Sequence, residues 1–470
     1  MIAIAACAAR SLAVFGLGAS GLAAARALIA SGARIAAWDD DAGRREAARA
    51  EGVPIEDLYR RTWSGFEALV LSPGIPLTHP APHPVVALAN AAGCPVVGDI
   101  ELFCDAEPAA TVIAVTGTNG KSTTTALIGH VLAESGRRVQ VGGNLGTPAL
   151  ALDPLPRDGA YALELSSYQL DLCHDARFDV AVLVNVSPDH LDRHGGMAGY
   201  VAAKTRIFRP WSRADAQLRP VAQAAIVGID DAYGAAILSE LEREGARRVV
   251  PISAARTLER GVYVAGGILH DATDGTDRTV ADLNGIPTLP GAHNWQNAAA
   301  AYAAARAAGT ASEDIAEAMQ SFPGLPHRQE HLVDVAGVRF VNDSKATNGD
   351  SAARALACYD AIYWIAGGLA KDDGLGPAAN ALSRVRRAYL IGKAAPDFAK
   401  ALAGKVETRM SGDLATAVRQ AFEDARRDAV SGAVVLLSPA CASFDQFANF
   451  EARGEAFRRE VLALAVKEAS

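Results

Sequence analysis

Val115-Thr-Gly117-Thr118-Asn119-Gly120-Lys121-Ser122-Thr123 lies between an apolar run, Thr111 to Val115, and a helical pattern, Ser122 to Ser135. A strand that ends in a glycine-rich turn and restarts as a helix aims several backbone N–H groups, and the positive end of the helix, at one point. That point suits a phosphate. Lys121 is spaced to reach its terminal oxygens and Ser122 to hold Mg²⁺, the arrangement of a phosphate loop. The spacing departs from GxxxxGK[ST] in one place. Val115 stands where the first glycine would, and Gly117 lies three residues before Gly120. The bland alternative is an ordinary strand–turn–helix junction.

Working outward, the chain alternates short apolar strands with helical stretches on both sides of this loop. Upstream, the strand Ser11 to Gly16 turns through Gly16-Leu-Gly18-Ala-Ser20-Gly21 into a helix, Leu22 to Ser31. The next strand, Ala33 to Trp38, ends in Asp39-Asp40-Asp41. This pattern fits a dinucleotide fingerprint, with Asp39 where a ribose-binding acid would stand, and implies a phosphate-bearing ligand at the first βα turn. A strand at Ala68 to Leu71 runs into Ser72-Pro-Gly-Ile-Pro76, where prolines forbid continuation, and Thr78 to Pro84 is a loop. Downstream come strands at Tyr161 to Leu165 and Val180 to Val186, a surface connection over 211–225, a small β excursion over Ile268 to Leu289, and a helix from Asn294 to Ala308. A last block opens near Gly324-Leu-Pro-His327, with strands at 338–341, 361–366, 388–391 and 433–437 and helices at 351–358 and 413–425. Repeated βα units predict an α/β protein with mostly parallel sheets.

Composition bounds the rest. A length of 470 residues suggests two or three domains. The formal charge of -8 gives no basic face for nucleic acid. Cys7, Cys94, Cys104, Cys173, Cys358 and Cys441 are scattered without a CxxC, as expected of a reduced, cytoplasmic protein. Met1 to Ala9 is apolar but lacks a basic n-region, so a signal peptide is not expected, and Ala298 to Ala308 is too short to span a bilayer. No membrane association is expected.

Several further residues carry chemistry. Glu164 ends an apolar strand after the phosphate loop, a good position for a Mg²⁺ ligand. His190 and His194 are four apart in Asp189-His-Leu-Asp-Arg-His194, but no HExxH pattern supports zinc. His327 and His331 repeat that spacing by coincidence. Lys204 reads, on its helix, as a solvated lysine. Asn342-Asp-Ser-Lys345-Ala-Thr347-Asn348, Gly367-Gly368 and Ser438 to Phe450 follow strands of the last block and suggest a face closing over the phosphate loop; Asp343, Ser344 and Thr347 are also natural N-caps.

Gly117-Thr-Asn-Gly-Lys-Ser-Thr123, Glu164-Leu-Ser-Ser-Tyr-Gln-Leu170, Asp189-His-Leu-Asp192, His293-Asn294 with Asn297, Pro326-His-Arg328, Asn342 to Asn348 and Ser438-Pro-Ala-Cys-Ala-Ser443 together resemble the Mur ligases, in order and along nearly the whole chain. The likeness is strongest to members that add D-glutamate to UDP-N-acetylmuramoyl-L-alanine, and the Asp-Asn-Pro-Arg motif of diamino-acid-adding members is absent. The resemblance implies three domains: a Rossmann-like N-terminal domain over 1–106 for the UDP-sugar, a central P-loop domain over 107–323 for ATP, and a Rossmann-like C-terminal domain over 324–470 for the amino acid. It implies a monomeric ATP- and Mg²⁺-dependent ligase working through an acyl phosphate on small-molecule substrates. A folylpolyglutamate synthase or a nicotinamide-dependent oxidoreductase is the alternative, disfavoured by the first hundred residues and by Lys121 respectively. By position, Gly117, Thr118, Asn119, Gly120, Lys121, Ser122, Thr123, Asn297 and Arg328 would bind ATP; Ser122, Glu164, His190 and a carbamylated Lys204 would hold metal. Gly18, Ser20, Asp39, Ser72, Asn144 and His190 would meet the nucleotide sugar, and Lys345, Thr347, Ser443, Phe444 and Phe450 the D-glutamate. Lys121, His190, Lys204 and Lys345 would be catalytic. Because Lys121 and Lys345 fall in different blocks, closure about a hinge near Phe322-Pro-Gly324 is expected. Three departures stand out: Asp40-Asp41 replaces a Thr-Arg pair, Gly368-Leu-Ala-Lys371 replaces Gly-Asp-Gly-Lys, and Phe444 replaces a leucine.

Overall fold

The computed structural model describes residues 1–370 and 374–469, with the backbone alone at Arg213 and Ala469. Lys371, from the departing glycine motif, lies outside the described residues.

The first sheet contains β1 (Ser11–Phe15), β2 (Arg34–Trp38), β3 (Ala68–Leu71) and β4 (Val96–Val97), in the order β2-β1-β3-β4. Its pairs are parallel, and Leu12 to Phe15 and Ala68 to Leu71 are buried throughout. That explains why these strands read as continuous apolar runs instead of alternating ones. Phe15 pairs with both Trp38 and Leu71, so Gly16, Asp39 and Ser72 leave the sheet side by side.

A second sheet holds β5 (Thr111–Thr116), β6 (Val139–Gly143), β7 (Ala160–Glu164), β8 (Val180–Leu183), β9 (Ala224–Gly228), β10 (Arg248–Ser253), β11 (Val262–Ala265), β12 (Ile268–Asp271) and β13 (Arg278–Asp282). Its order is β13-β12-β11-β10-β9-β8-β5-β7-β6, with β11-β12-β13 an antiparallel edge on a parallel sheet. Register puts Val115 opposite Glu164 and Thr116 opposite Leu183. The phosphate loop therefore leaves the sheet between Glu164 and the segment following β8.

The third sheet holds β14 (Glu330–Val335), β15 (Val338–Asn342), β16 (Ala361–Gly367), β17 (Val385–Ile391), β18 (Glu407–Gly412) and β19 (Ala433–Leu437), ordered β14-β15-β19-β16-β17-β18. Only the β14–β15 hairpin is antiparallel. Leu437 pairs with both Asn342 and Ile365, so the polar runs after β15 and β19 emerge at one edge.

Two compact units result: 1–285 with 294–322, and 286–293 with 323–470. The α/β class and largely parallel sheets expected from the sequence are present. Several local expectations need correction. The stretch 211–225 is a connection only to Gln223, because Ala224 and Ala225 begin a buried strand. The strand at Val180 stops at Leu183, since residues 184–187 turn to bind the phosphate loop. Neither Asp343, Ser344 nor Thr347 caps the next helix; Asn348 does, accepting from Ser351 N. Among the described residues no helix is long and apolar enough to cross a membrane.

Candidate active site

The loop after β5 closes onto the helix Lys121–Glu134 through Gly120, whose φ is +81°. A Cβ there would lie 2.1 Å from Asn297 Oδ1, so space and backbone both demand glycine. Asn297 is buried on the helix Ala292–Ala307, accepts from Thr124 Oγ1 at 3.3 Å and donates to Asn294 Oδ1 at 3.1 Å. On the other flank Thr118 N donates to Asn185 O at 2.9 Å, and Asn119 N donates to Asn185 Oδ1 at 2.9 Å. Thr118 Oγ1 also meets Ser187 N at 2.9 Å and Tyr200 OH at 3.0 Å. The loop is therefore held in shape from outside, as a preformed anion cradle requires.

Lys121 folds back over the cradle, donating to Gly117 O at 3.0 Å and Thr118 O at 2.8 Å. Ser122, buried in the first helical turn, donates to the Glu164 carboxylate; Thr123 follows, half-buried. Glu164 is itself buried at the end of β7 and accepts from Asn144 Nδ2 at 2.6 Å. The hydroxyl and carboxylate oxygens are hard donors of the kind Mg²⁺ takes.

Lys204 overturns the reading of a solvated lysine. It is 1% exposed, on the helix Met197–Thr205. Its Nζ donates to Gly117 O at 2.7 Å, the same carbonyl that Lys121 uses, and lies 4.7 Å from the Tyr200 ring centre. Burial, with Lys121 adding repulsion, pushes its pKa well below the ordinary lysine range, while Asp189 and Glu164 pull the other way. Two ammonium groups on one carbonyl is a poor resting arrangement for a pair of structural lysines.

His190 sits at φ 53°, 3.4 Å from Asp189 Oδ2, with its ring 5.0 Å from Tyr168. His194 instead points inward to Ser167 Oγ at 3.0 Å, and burial lowers its pKa. Tyr168 stacks on the His194 ring and meets the His190 ring at a tilt, and among the described residues no three His, Cys, Asp or Glu side chains are grouped for a metal ion.

At the edge of the first sheet, Gly21 must be glycine: a Cβ there would sit 1.7 Å from Gly16 O. Gly18 occupies the N-cap of the helix Ala19–Ala30, and Ser20 stands half-buried in its first turn. Asp39 is buried, taking Leu17 N–H at 2.6 Å. Ser72 packs against Gly16, and Arg193 Nη1 donates to Gly74 O at 3.1 Å, joining the Ser72 loop to the His190 segment.

In the second unit Lys345 lies 3.7 Å over the Phe450 ring, and its N–H donates to His327 O at 3.0 Å. Buried Arg453 braces this run, donating to Ser344 O at 2.8 Å and Cys441 O at 3.0 Å. Asp343 takes Ser438 Oγ at 2.8 Å; burial pushes its pKa up to about 7 while Arg328 holds it down. Thr347 and Arg328 are half-buried, Ser443 is buried and Phe444 is 69% exposed. Sequence reasoning missed Asn185, Tyr200 and Arg453. Asn185 stood close to an apolar strand's end and was findable; the other two lie on helices that give no such signal.

Comparison with known proteins bears on the whole chain. The Mur ligase middle domain family matches residues 115–305, and the Mur ligase, glutamate ligase domain family matches 327–441. The UDP-N-acetylmuramoylalanine–D-glutamate ligase of Phenylobacterium zucineum is 53% identical over 97% of this chain and 97% of its own. That of Rhodospirillum rubrum is 54% identical over 97% and 95% respectively. Among solved structures, the UDP-N-acetylmuramate-alanine ligase of Thermotoga maritima superposes with a TM-score of 0.56 at 17% identity, covering 97% of this chain and 99% of that one. A pseudomurein peptide ligase type C of Methanothermus fervidus gives 0.57 at 18%, covering 97% and 100%. These two share the fold.

Proposed function

Since the chain belongs to the Mur ligase family, we propose that it joins D-glutamate to UDP-N-acetylmuramoyl-L-alanine with ATP as phosphoryl donor. The observation that carries the chemistry is the pairing of Lys121 and Lys204 on Gly117 O beside the Ser122–Glu164 contact. The near-full-length likeness to D-glutamate ligases supports the choice of substrates.

A carboxylate and an amine do not condense at neutral pH, so the alanyl carboxylate must first be activated. Its oxygen attacks the γ-phosphorus of ATP, ADP leaves, and an acyl phosphate forms. The neutral amine of D-glutamate then adds to the acyl carbon, and the tetrahedral intermediate collapses to the amide as phosphate departs with the former carboxylate oxygen. In this reading Lys121 leaves the carbonyls of Gly117 and Thr118 for the β- and γ-phosphate oxygens, where it offsets charge in flight. The loop N–H groups from Gly117 to Thr123 cradle the phosphates, with Asn297 and Arg328 toward the nucleotide. Ser122 and Glu164 would hold Mg²⁺, with His190 and a carbamylated Lys204 at a second ion; bound metal neutralises the crowded phosphate oxygens. Gly18, Ser20, Asp39, Ser72 and Asn144 would line the path of the UDP-sugar. Lys345, Thr347, Ser443, Phe444 and Phe450 would receive D-glutamate.

Phosphate release tests the reading directly. It is expected only with ATP, UDP-N-acetylmuramoyl-L-alanine and D-glutamate all present, and L-glutamate should serve poorly, because a chiral pocket turns its amine away from the acyl phosphate. Equal rates with both enantiomers contradict the specificity; release without the nucleotide sugar contradicts the function.

A further inference from the structure

The flank of the phosphate loop that Asn185 holds is the near end of a chain of side chains leading to β9 and β10. Asn119 N–H meets Asn185 Oδ1 at 2.9 Å, Asn185 Nδ2 donates to Gln296 Oε1 at 3.2 Å, and Gln296 Nε2 donates to Asp230 Oδ2 at 3.0 Å. Asp230 follows β9 and ties it to the end of β10. Its Oδ2 also takes Ala254 N–H at 2.9 Å, and its Oδ1 takes the Ser253 hydroxyl. Asn185 and Gln296 are buried, while Asp230 is exposed.

This chain has a sense. A side-chain amide can be turned end for end, because its oxygen accepts and its nitrogen donates. Two groups that cannot be turned decide the order here. The backbone N–H of Asn119 only donates, so it takes the oxygen of Asn185 and sends the Asn185 nitrogen toward Gln296. At the far end an ionised carboxylate only accepts, so Asp230 takes the nitrogen of Gln296 and leaves the Gln296 oxygen for Asn185. Both ends demand the same order. With Gln296 reversed, two NH₂ groups would face each other in a buried place and leave a donor unsatisfied.

The near end reaches the chemistry. A trans peptide points its N–H and its C=O in opposite directions. In the Thr118–Asn119 peptide the N–H is fixed by Asn185, and the C=O accepts from Lys121 Nζ at 2.8 Å. The plane of that one peptide therefore sets where Lys121 stands before ATP arrives. Gln296 also adjoins Asn297, which lies against Gly120, so the helix Ala292–Ala307 serves both flanks of the loop.

We propose that Gln296 and Asp230 are positioning residues for ATP, fixing through Asn185 the plane of the Thr118–Asn119 peptide and with it the stance of Lys121. The proposal deepens the functional reading above and rests on it. Neither residue needs to touch the nucleotide. Asp230 supplies the direction, Gln296 passes it on, and Asn185 delivers it to the loop.

Calorimetric titration of the full-length protein with ADP and Mg²⁺, alongside KM values for the three substrates, tests this. Gln296→Met keeps the length of the side chain but offers no N–H and no amide oxygen. ADP should bind it about tenfold more weakly, with KM for ATP rising in step. Asp230→Ala removes the acceptor that orients Gln296 and should weaken ADP binding about fivefold. Asp230→Asn should stay within about twofold of the parent, because its oxygen can still take Gln296 and Ala254 while its NH₂ donates to Ser253 Oγ. In all three variants the KM values for D-glutamate and the UDP-sugar should move by less than about twofold. ADP affinity in Gln296→Met within twofold of the parent overturns the proposal. So does a joint rise of all three KM values, the mark of a general loosening of the fold. Should Gln296→Met fail to fold, the exposed Asp230 decides: equal ADP affinities in Asp230→Ala and Asp230→Asn overturn the proposal, and the expected difference between them upholds it. A parent protein that binds no ADP contradicts the functional reading itself, and the proposal with it.

Discussion

Lys121→Ala is expected to lower the rate of ADP formation by at least ~10³-fold, the scale for removing a principal electrostatic donor to a developing charge. The argument is local. Lys121 is the cation on the loop itself, resting on two loop carbonyls, and the loop's shape does not depend on it. Asn185 holds the backbone of Thr118 and Asn119 from one flank, and Thr118 Oγ1 is fixed by Ser187 and Tyr200. The variant should therefore fold, unfold at a temperature close to the parent's, and fail in chemistry. A single-turnover rate within tenfold of the parent would contradict the phosphate-loop assignment.

Lys204→Arg is the second large effect, and it should be no better than Lys204→Ala. A bare ammonium beside divalent cations would be repelled and could ligate neither. Lys204 lies buried against Gly117 O and next to Lys121, where a second positive charge is already poorly tolerated. On the proposed reading, addition of CO₂ to the neutral amine would turn it into a carbamate, an anion with two oxygens suited to hard cations. Arginine keeps its charge at any working pH and cannot be carbamylated. Both variants should lose orders of magnitude in turnover, and acetate should restore part of the activity of Lys204→Ala by filling the vacated anion site. Near-parental turnover in Lys204→Arg would show that Lys204 serves as an ordinary cation.

The fold was legible where burial on both faces wrote continuous apolar runs, as in β1, β5 and β19. It was not legible at β9, where Ala224 and Ala225 are small residues that turn-rich surface connections also use. β14 and β18 carry charged and polar residues in half-exposed edge strands, which no apolar run announces. Site residues followed the same division. Gly120, Lys121, Ser122 and Glu164 come together because parallel register alone places the ends of β5 and β7 side by side. Lys204 was misjudged because its burial arises from the phosphate loop, 84 residues away from Gly120 in sequence, and helical periodicity around it cannot report that contact. The bond from Leu17 N–H to Asp39 was likewise invisible, since side-chain direction at a strand end depends on the turn that follows.

The central claim is that this site activates a carboxylate by phosphorylating it. UDP-N-acetylmuramoyl-L-alanine labelled with ¹⁸O in the alanyl carboxylate, turned over with ATP and D-glutamate, tests it most directly by mass spectrometry of the released phosphate. One ¹⁸O atom per phosphate is expected, because the oxygen that attacks the γ-phosphorus leaves with it. Phosphate free of label, with the amide still formed, would contradict the acyl phosphate and the roles given to Lys121 and Lys204.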